Sequence, residues 1–239
     1  MSELARKTLK TLDLLRVPRF RRALLHGVAA ALEHRALREL SPVVVVDVGA
    51  NKGQFTLLAL EIFPLARIIA FEPLVGPGNR FRRAIGNDPR VRLIAAALGS
   101  NTADVSMNVA GRDDCSSLLP VAKLAELHPD ARMVGMESVK VGRLQDFVNP
   151  EELAGPALLK IDVQGFELEV LRGCGDWLNR FTWVYVECSF CELYADQALA
   201  DAVFRMVMTA GFELSGVYCL SCDADGTPLQ ADVLFTRRS

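Results

Sequence analysis

Asp47, Gly49 and Gly53 fall in the run Val46-Asp47-Val48-Gly49-Ala50-Asn51-Lys52-Gly53-Gln54, a carboxylate followed by closely spaced glycines. Glycines let a backbone turn tightly and approach a bound molecule, and a carboxylate beside them suits a cationic group such as the amino group of a methionyl moiety. The dinucleotide fingerprint G-x-G-x-x-G would place glycine at 51 and 54, where this chain has Asn51 and Gln54. A pyrophosphate ligand is therefore disfavoured, and a nicotinamide-dependent oxidoreductase with it. Nineteen residues after Gly53, Phe71-Glu72-Pro73 offers an acidic side chain that can accept both hydroxyls of an adenosine ribose.

Such residues act together only if the fold brings them to one edge. Val43–Val48 is a continuous β-branched run bounded by Pro42 and Gly49, the pattern of a strand buried on both faces, and helical Gln54–Phe63 follows it. The alternation continues with strand Arg67–Phe71, a break at Gly76–Gly78, helix Asn79–Ile85 and strand Val91–Ala97. After Val139–Phe147 it resumes with strand Ala157–Asp162, helix Phe166–Leu171, strand Trp183–Glu187 and helix Asp196–Ala210. This predicts an α/β fold of Rossmann-like type, a mostly parallel sheet with helices on both faces and its ligand outside the carboxyl ends of the strands. Glu213–Cys219 and Ala231–Phe235, joined by an Asp-Gly turn, read as an antiparallel C-terminal pair.

Two segments stand outside this alternation. Residues 3–15 and 20–40 read as helices, with Leu25, Val28 and Leu32 on one face and Pro18 marking the break between them. Gly99–Glu137 is irregular, with a short helix candidate at Leu119–Leu127, and reads as an insertion or lid. The expected organisation is a helical extension over residues 1–40 and one catalytic domain over residues 41–239. Within the insertion, Arg112-Asp113-Asp114-Cys115-Ser116-Ser117 is polar and turn-prone, as in a loop that folds over a substrate, which makes Asp114, Ser116 and Ser117 candidate substrate contacts.

A net charge of -2 gives no general attraction to nucleic acid. Nine of the 27 Lys and Arg lie in residues 1–40, so the basic part is the extension, and docking of these helices on anionic lipid is the reading that competes with catalysis. No run reaches the roughly 18 apolar residues of a membrane span, so a cytoplasmic protein is expected. The six cysteines then suit reduced thiols better than a disulfide framework. Cys188/Cys191 and Cys219/Cys222 form two Cys-x-x-Cys pairs, but their separation exceeds the usual zinc-ribbon spacing and no metal is predicted from them.

The chain resembles the FkbM family of methyltransferases through Val46–Gln54, Ala70-Phe71-Glu72-Pro73, Ala96-Ala97-Leu98-Gly99 and the block Leu159-Lys160-Ile161-Asp162-Val163-Gln164-Gly165-Phe166-Glu167 continuing to Gly173. The resemblance covers about residues 42–236 and leaves the N-terminal helices outside. It implies a class I fold with a seven-stranded sheet and an O-methyltransferase using S-adenosylmethionine, held by Asp47, Gly49, Ala50, Asn51, Gly53, Glu72, Pro73, Ala97 and Asp162. Its acceptor would be a hydroxyl of a sugar, glycan or other biosynthetic intermediate. A divalent metal and a homodimer are compatible with it without being predicted. Many members carry Glu where this chain has Gln164, so no acid or base role is given to that position.

Methyl transfer from a sulfonium is an in-line displacement, so alignment and exclusion of water are the main tasks. An alkyl hydroxyl also needs its proton partly removed, by a carboxylate or His within hydrogen-bond reach or by a metal. Asp162 and Glu187, at the carboxyl ends of predicted central strands, qualify by position. His34, in the extension, qualifies if that segment covers the site.

Overall fold

The computed structural model describes residues 11–238. Seven strands form the main sheet: β1 (Val44–Val48), β2 (Arg67–Phe71), β3 (Val91–Ile94), β7 (Ala157–Ile161), β8 (Trp183–Ser189), β9 (Phe212–Cys222) and β10 (Pro228–Arg237). They run in the order β3-β2-β1-β7-β8-β10-β9. β1 is parallel to β2 and β7, β7 is parallel to β8, and β10 runs antiparallel to both β8 and β9. This is the Rossmann-like class I arrangement expected from the sequence. The period of two along each strand explains why the sheet needs cover on both faces. Val44, Val46 and Val48 enter one core with Val170, Leu171, Val203 and Val207, which belong to α5 (Glu167–Cys174) and α6 (Ala200–Thr209). Val45 enters the other with Phe55, Leu58 and Phe81, from α2 (Gln54–Ile62) and α3 (Val75–Ile85).

Helix α3 corrects the expected Gly76–Gly78 break, because it starts at Val75 and runs through Gly76-Pro77-Gly78. Pro77 stands in the first turn, where its missing N–H has no partner to lose. The predicted strand Val91–Ala97 divides into β3 and the short β4 (Ala97–Leu98), which belongs to a second sheet. The other two strands of that sheet are β5 (Ala103–Ala110) and β6 (Met133–Gly142), antiparallel to each other, with β6 in the middle. The irregular insertion expected over Gly99–Glu137 therefore contains β5 and the start of β6, an antiparallel pair joined by a long connection. Only Leu124–Leu127 of the helix candidate is helical, as α4, and Val121 bridges Tyr194 instead.

The expected helix over residues 20–40 is also corrected. Helix α1 (Pro18–Leu24) ends in a turn with Gly27 at φ 72°, where the N–H of Val28 donates to the Ala23 carbonyl and that of Gly27 to Leu24. This is a Schellman stop, which glycine permits because it has no Cβ penalty at positive φ. Leu25 is left 84% exposed, and the chain continues to a 3-10 segment at Leu32–Glu39. Of the first expected helix, residues 11–16 are helical and residues 3–10 lie outside the described residues. Leu14, Phe20, Ala23 and Leu37 are buried in the same core as Val45 and Phe55, so residues 11–40 pack as part of the sheet's cover. The Ala31 N–H donates to the Gln54 carbonyl, which fixes Ala29–Ala31 and His34 over the carboxyl end of β1. Among the described residues, no helix is long and apolar enough to cross a membrane.

Candidate active site

At the carboxyl edge of β1, β2 and β7 lies a cavity of about 370 Å³, within the range of roughly 300–1,000 Å³ usual for small-molecule sites. Gly49, Ala50, Asn51, Glu72, Pro73, Ala97, Asp162, His34, Asp114 and Ser116 all line it. Most of the residues named from the sequence thus converge. Gly49, at φ 77°, sits so close under the end of β7 that a Cβ there would fall 1.8 Å from the Asp162 carbonyl oxygen. This position accepts only glycine.

Glu72 braces the turn after β1 at the cavity wall. Its two carboxylate oxygens accept the Asn51 N–H at 2.9 Å and the Leu74 N–H at 2.8 Å, and each oxygen keeps a further lone pair for the cavity. Asn51 can present its N–H this way because it adopts the left-handed conformation at φ 49°, which Asn tolerates better than most residues. Burial pushes the Glu72 carboxyl up to about 7, against the opposing pull of the Leu74 and Asn51 N–H groups and of Lys160.

Asp47 corrects the sequence reading. It is fully buried and does not line the cavity. In the parallel pairing of β1 with β7 it stands opposite Lys160, whose Nζ lies 3.3 Å from Asp47 Oδ1, while the Thr56 hydroxyl donates to Oδ2 at 2.7 Å. The amine it neutralises belongs to the protein. Gly53 is likewise behind the wall, capping α2 at φ 91°, where an added Cβ would meet the Phe81 ring. Lys160 has no role in the sequence reading. Its signal is a lysine inside an otherwise apolar strand, paired in register with a carboxylate of the neighbouring strand. Burial works against its charge, and Asp47 and then Asp162 outweigh that burial and raise its pKa.

Gln164 organises the cavity wall after β7. It takes φ 57° and is followed by Gly165 at φ 98°, a strained double turn of the kind that functional sites retain. Its Nε2 donates to Asp162 Oδ1 at 2.8 Å and to Glu187 Oε2 at 3.0 Å, and the Tyr194 hydroxyl lies 2.8 Å from its Oε1. Glu187 therefore stands behind Gln164 and outside the cavity wall, joined also by Gln230 Nε2 at 3.0 Å. Burial, then the Asp162 and Asp232 carboxylates, push its pKa well above the usual range. Ser117 is also off the cavity: its hydroxyl donates to the Gln164 carbonyl at 2.6 Å and pins the 111–117 loop to this turn. An amide suits position 164 because it can donate to two carboxylates at once, which an ionised glutamate cannot do.

Glu167 completes the turn from below, its Oε1 accepting the Val163 N–H at 3.2 Å and the Gly165 N–H at 3.0 Å. Burial raises its pKa to about 7. A carboxyl whose folded pKa lies above its unfolded value stabilises the fold below the unfolded pKa, and that contribution is lost as pH rises through about 7. Glu167→Gln keeps an acceptor for both N–H groups without the charge. Urea unfolding should find it more stable than the parent by about 1–3 kcal/mol at pH 8 and indistinguishable at about pH 4. A variant less stable at both pH values would show that the charge itself supports the turn.

Over residues 47–214 the chain matches the family model described as the Methyltransferase FkbM domain. It belongs to the FkbM methyltransferase family. It is 28% identical over 198 residues to 2-O-methyltransferase NoeI of Sinorhizobium fredii, covering 80% of each chain. Methyltransferase 1 of Beauveria bassiana is 31% identical over 145 residues, 55% of this chain and 58% of that one. Among solved structures, precorrin-6y C5,15-methyltransferase of Geobacter metallireducens aligns with a TM-score of 0.45 at 12% identity, covering 87% of each chain. The methyl donor of this FkbM enzyme is S-adenosylmethionine. The site fits it: Glu72 offers two spare acceptor positions for ribose hydroxyls, the cavity is large enough, and the Asp162 side chain, 35% exposed, brings negative charge to the wall.

Proposed function

We propose that this FkbM methyltransferase transfers methyl to a hydroxyl of a sugar, glycan or natural-product intermediate. The observation that carries the reading is a single cavity whose wall combines Glu72, Asn51 and Pro73 with the polar side chains of Asp162, Asp114, Ser116 and His34. Carboxylates, a hydroxyl and an imidazole in one wall suit an acceptor recognised through several hydroxyls, which these groups can both donate to and accept from. The name of the relative in Sinorhizobium fredii, a 2-O-methyltransferase, favours oxygen as the methylated atom.

S-adenosylmethionine supplies an electrophilic methyl carbon when bound. The protein's part is to align the acceptor oxygen with it and to keep water out, which the packing of Ala29–Ala31 against the cavity supports. Both Asp162 oxygens are already engaged, Oδ1 by Gln164 and Oδ2 by Lys160 at 3.6 Å. Asp162 is accordingly a fixed negative charge that orients, because both of its oxygens are held by side chains of the protein.

The test is methyl incorporation from isotope-labelled S-adenosylmethionine into a panel of simple sugars, oligosaccharides and hydroxylated polyketides, beside matched amines and carboxylic acids. Base-stable label in hydroxylated acceptors alone is the expected result. Label confined to amines, or released by mild base as from a methyl ester, would overturn the reading.

A further inference from the structure

His34 lies in the cavity wall, yet the polar contacts of its ring are made through Nδ1. That nitrogen is 2.9 Å from the Tyr185 hydroxyl, 3.4 Å from Asp232 Oδ2 and 4.0 Å from Cys219 Sγ. The ring also stands edge-on to Phe55 and Tyr185, with centroids 5.7 and 5.6 Å away. Its orientation is thus fixed on three sides, and Nε2 is the nitrogen left for the cavity. His34 and Asp232 both fall outside residues 47–214, so nothing in the family match assigns them.

We infer that His34 is the general base of the methyl transfer, and that Asp232 and Tyr185 are positioning residues that hold its ring with Nε2 toward the acceptor. The inference rests on the O-methyltransferase reading and names the group that this reading leaves open. The acceptor oxygen forms its bond to the methyl carbon, and the carbon–sulfur bond breaks with its electron pair remaining on sulfur. The hydroxyl proton passes to Nε2. The resulting imidazolium faces the Asp232 carboxylate, and its proton returns to solvent after product leaves.

The arrangement favours this assignment. With Asp232 as acceptor, Nδ1 carries the proton and Nε2 the lone pair, which is the tautomer a base requires. Asp232 is only 12% exposed and the His34 side chain 14%, so their interaction is little screened by water. Burial raises the Asp232 pKa while His34 opposes it, and Asp162, Cys219 and Lys160 also act on it. Glu33, on the same segment as His34, receives the Cys219 thiol at its backbone carbonyl. His34, Cys219 and Asp232 lie within 4.8 Å of one another, a grouping that could also hold a metal ion. The 2.9 Å contact of Nδ1 with Tyr185 favours the hydrogen-bonded alternative.

Nitrogen-15 NMR of the full-length protein, with His34→Gln to assign the signal, reads the tautomer of His34 without any acceptor. The expected spectrum shows neutral His34 protonated at Nδ1, and Asp232→Asn shifts the tautomer balance toward Nε2 because the Nδ1 proton loses its carboxylate acceptor. Protonation at Nε2, or no shift in Asp232→Asn, would overturn the inference. So would one equivalent of cobalt(II) giving thiolate-to-metal absorption that is lost in Cys219→Ser. With an acceptor from the panel, His34→Gln should lose about 10²- to 10⁴-fold in kcat while retaining S-adenosylhomocysteine binding, and added imidazole should restore part of the rate to His34→Ala. Undiminished kcat in His34→Gln would also overturn it. Failure of the parent enzyme to bind S-adenosylhomocysteine, by contrast, would count against the methyltransferase site and leave the tautomer result readable.

Discussion

Lys160→Met is expected to destabilise the protein by about 3–5 kcal/mol, the usual consequence of removing one partner of a buried ion pair. Asp47 is fully buried in the centre of the sheet, and Lys160, 5% exposed, is its charged partner across the β1–β7 register. Without the ammonium, Asp47 must either hold an unpaired charge in the core or take up a proton. The double variant Lys160→Met with Asp47→Asn should recover much of the loss, because no charge then remains unpaired and the introduced amide oxygen can still accept from Thr56. Urea unfolding of the three proteins measures this. A single-variant loss below about 1 kcal/mol, the level of exposed pairs, would mean that water reaches Lys160.

The same pair shows what the sequence could and could not disclose. The strand-helix alternation and the antiparallel C-terminal pair were legible because hydrophobic runs and punctuating glycines act locally. So was the place of Glu72 in the cavity wall, since strand end, glycine turn and acidic residue keep a fixed spacing. The partner of Asp47 was not legible, because it depends on β7 lying beside β1 at a particular register, a contact between residues more than a hundred positions apart. Glu187 was misplaced for the same reason: Gln164 takes the cavity wall in its stead only because a double left-handed turn places it in front. The β5–β6 pair, by contrast, carried a readable signal. Val105, Met107 and Val109 alternate with polar residues, as do Val139 and Val141, and they pack together or toward the core. Gly27, too, stood where a helix stop would require it.

Glu72 carries the second large effect. In the proposed reading its carboxylate receives two ribose hydroxyls, and hydrogen bonds to a charged group contribute about 1.5–3 kcal/mol. Glu72→Ala should therefore weaken S-adenosylhomocysteine binding by roughly 10- to 100-fold, with more loss if the Asn51 turn relaxes once its acceptor is gone. The pH dependence has a definite sign. The ionised carboxylate is the better acceptor, and burial holds the free group at about 7, so binding in the parent should strengthen as pH rises through neutrality, by up to about tenfold between pH 6 and pH 8.

Calorimetric titration of the parent protein and Glu72→Ala with S-adenosylhomocysteine at pH 6 and pH 8, with NAD as the control ligand, tests the site most directly. Saturable binding of S-adenosylhomocysteine alone, tighter at pH 8 in the parent and both weaker and independent of pH in Glu72→Ala, is the predicted outcome. Saturable binding of NAD without S-adenosylhomocysteine, or equal affinity in the two proteins at both pH values, would contradict it.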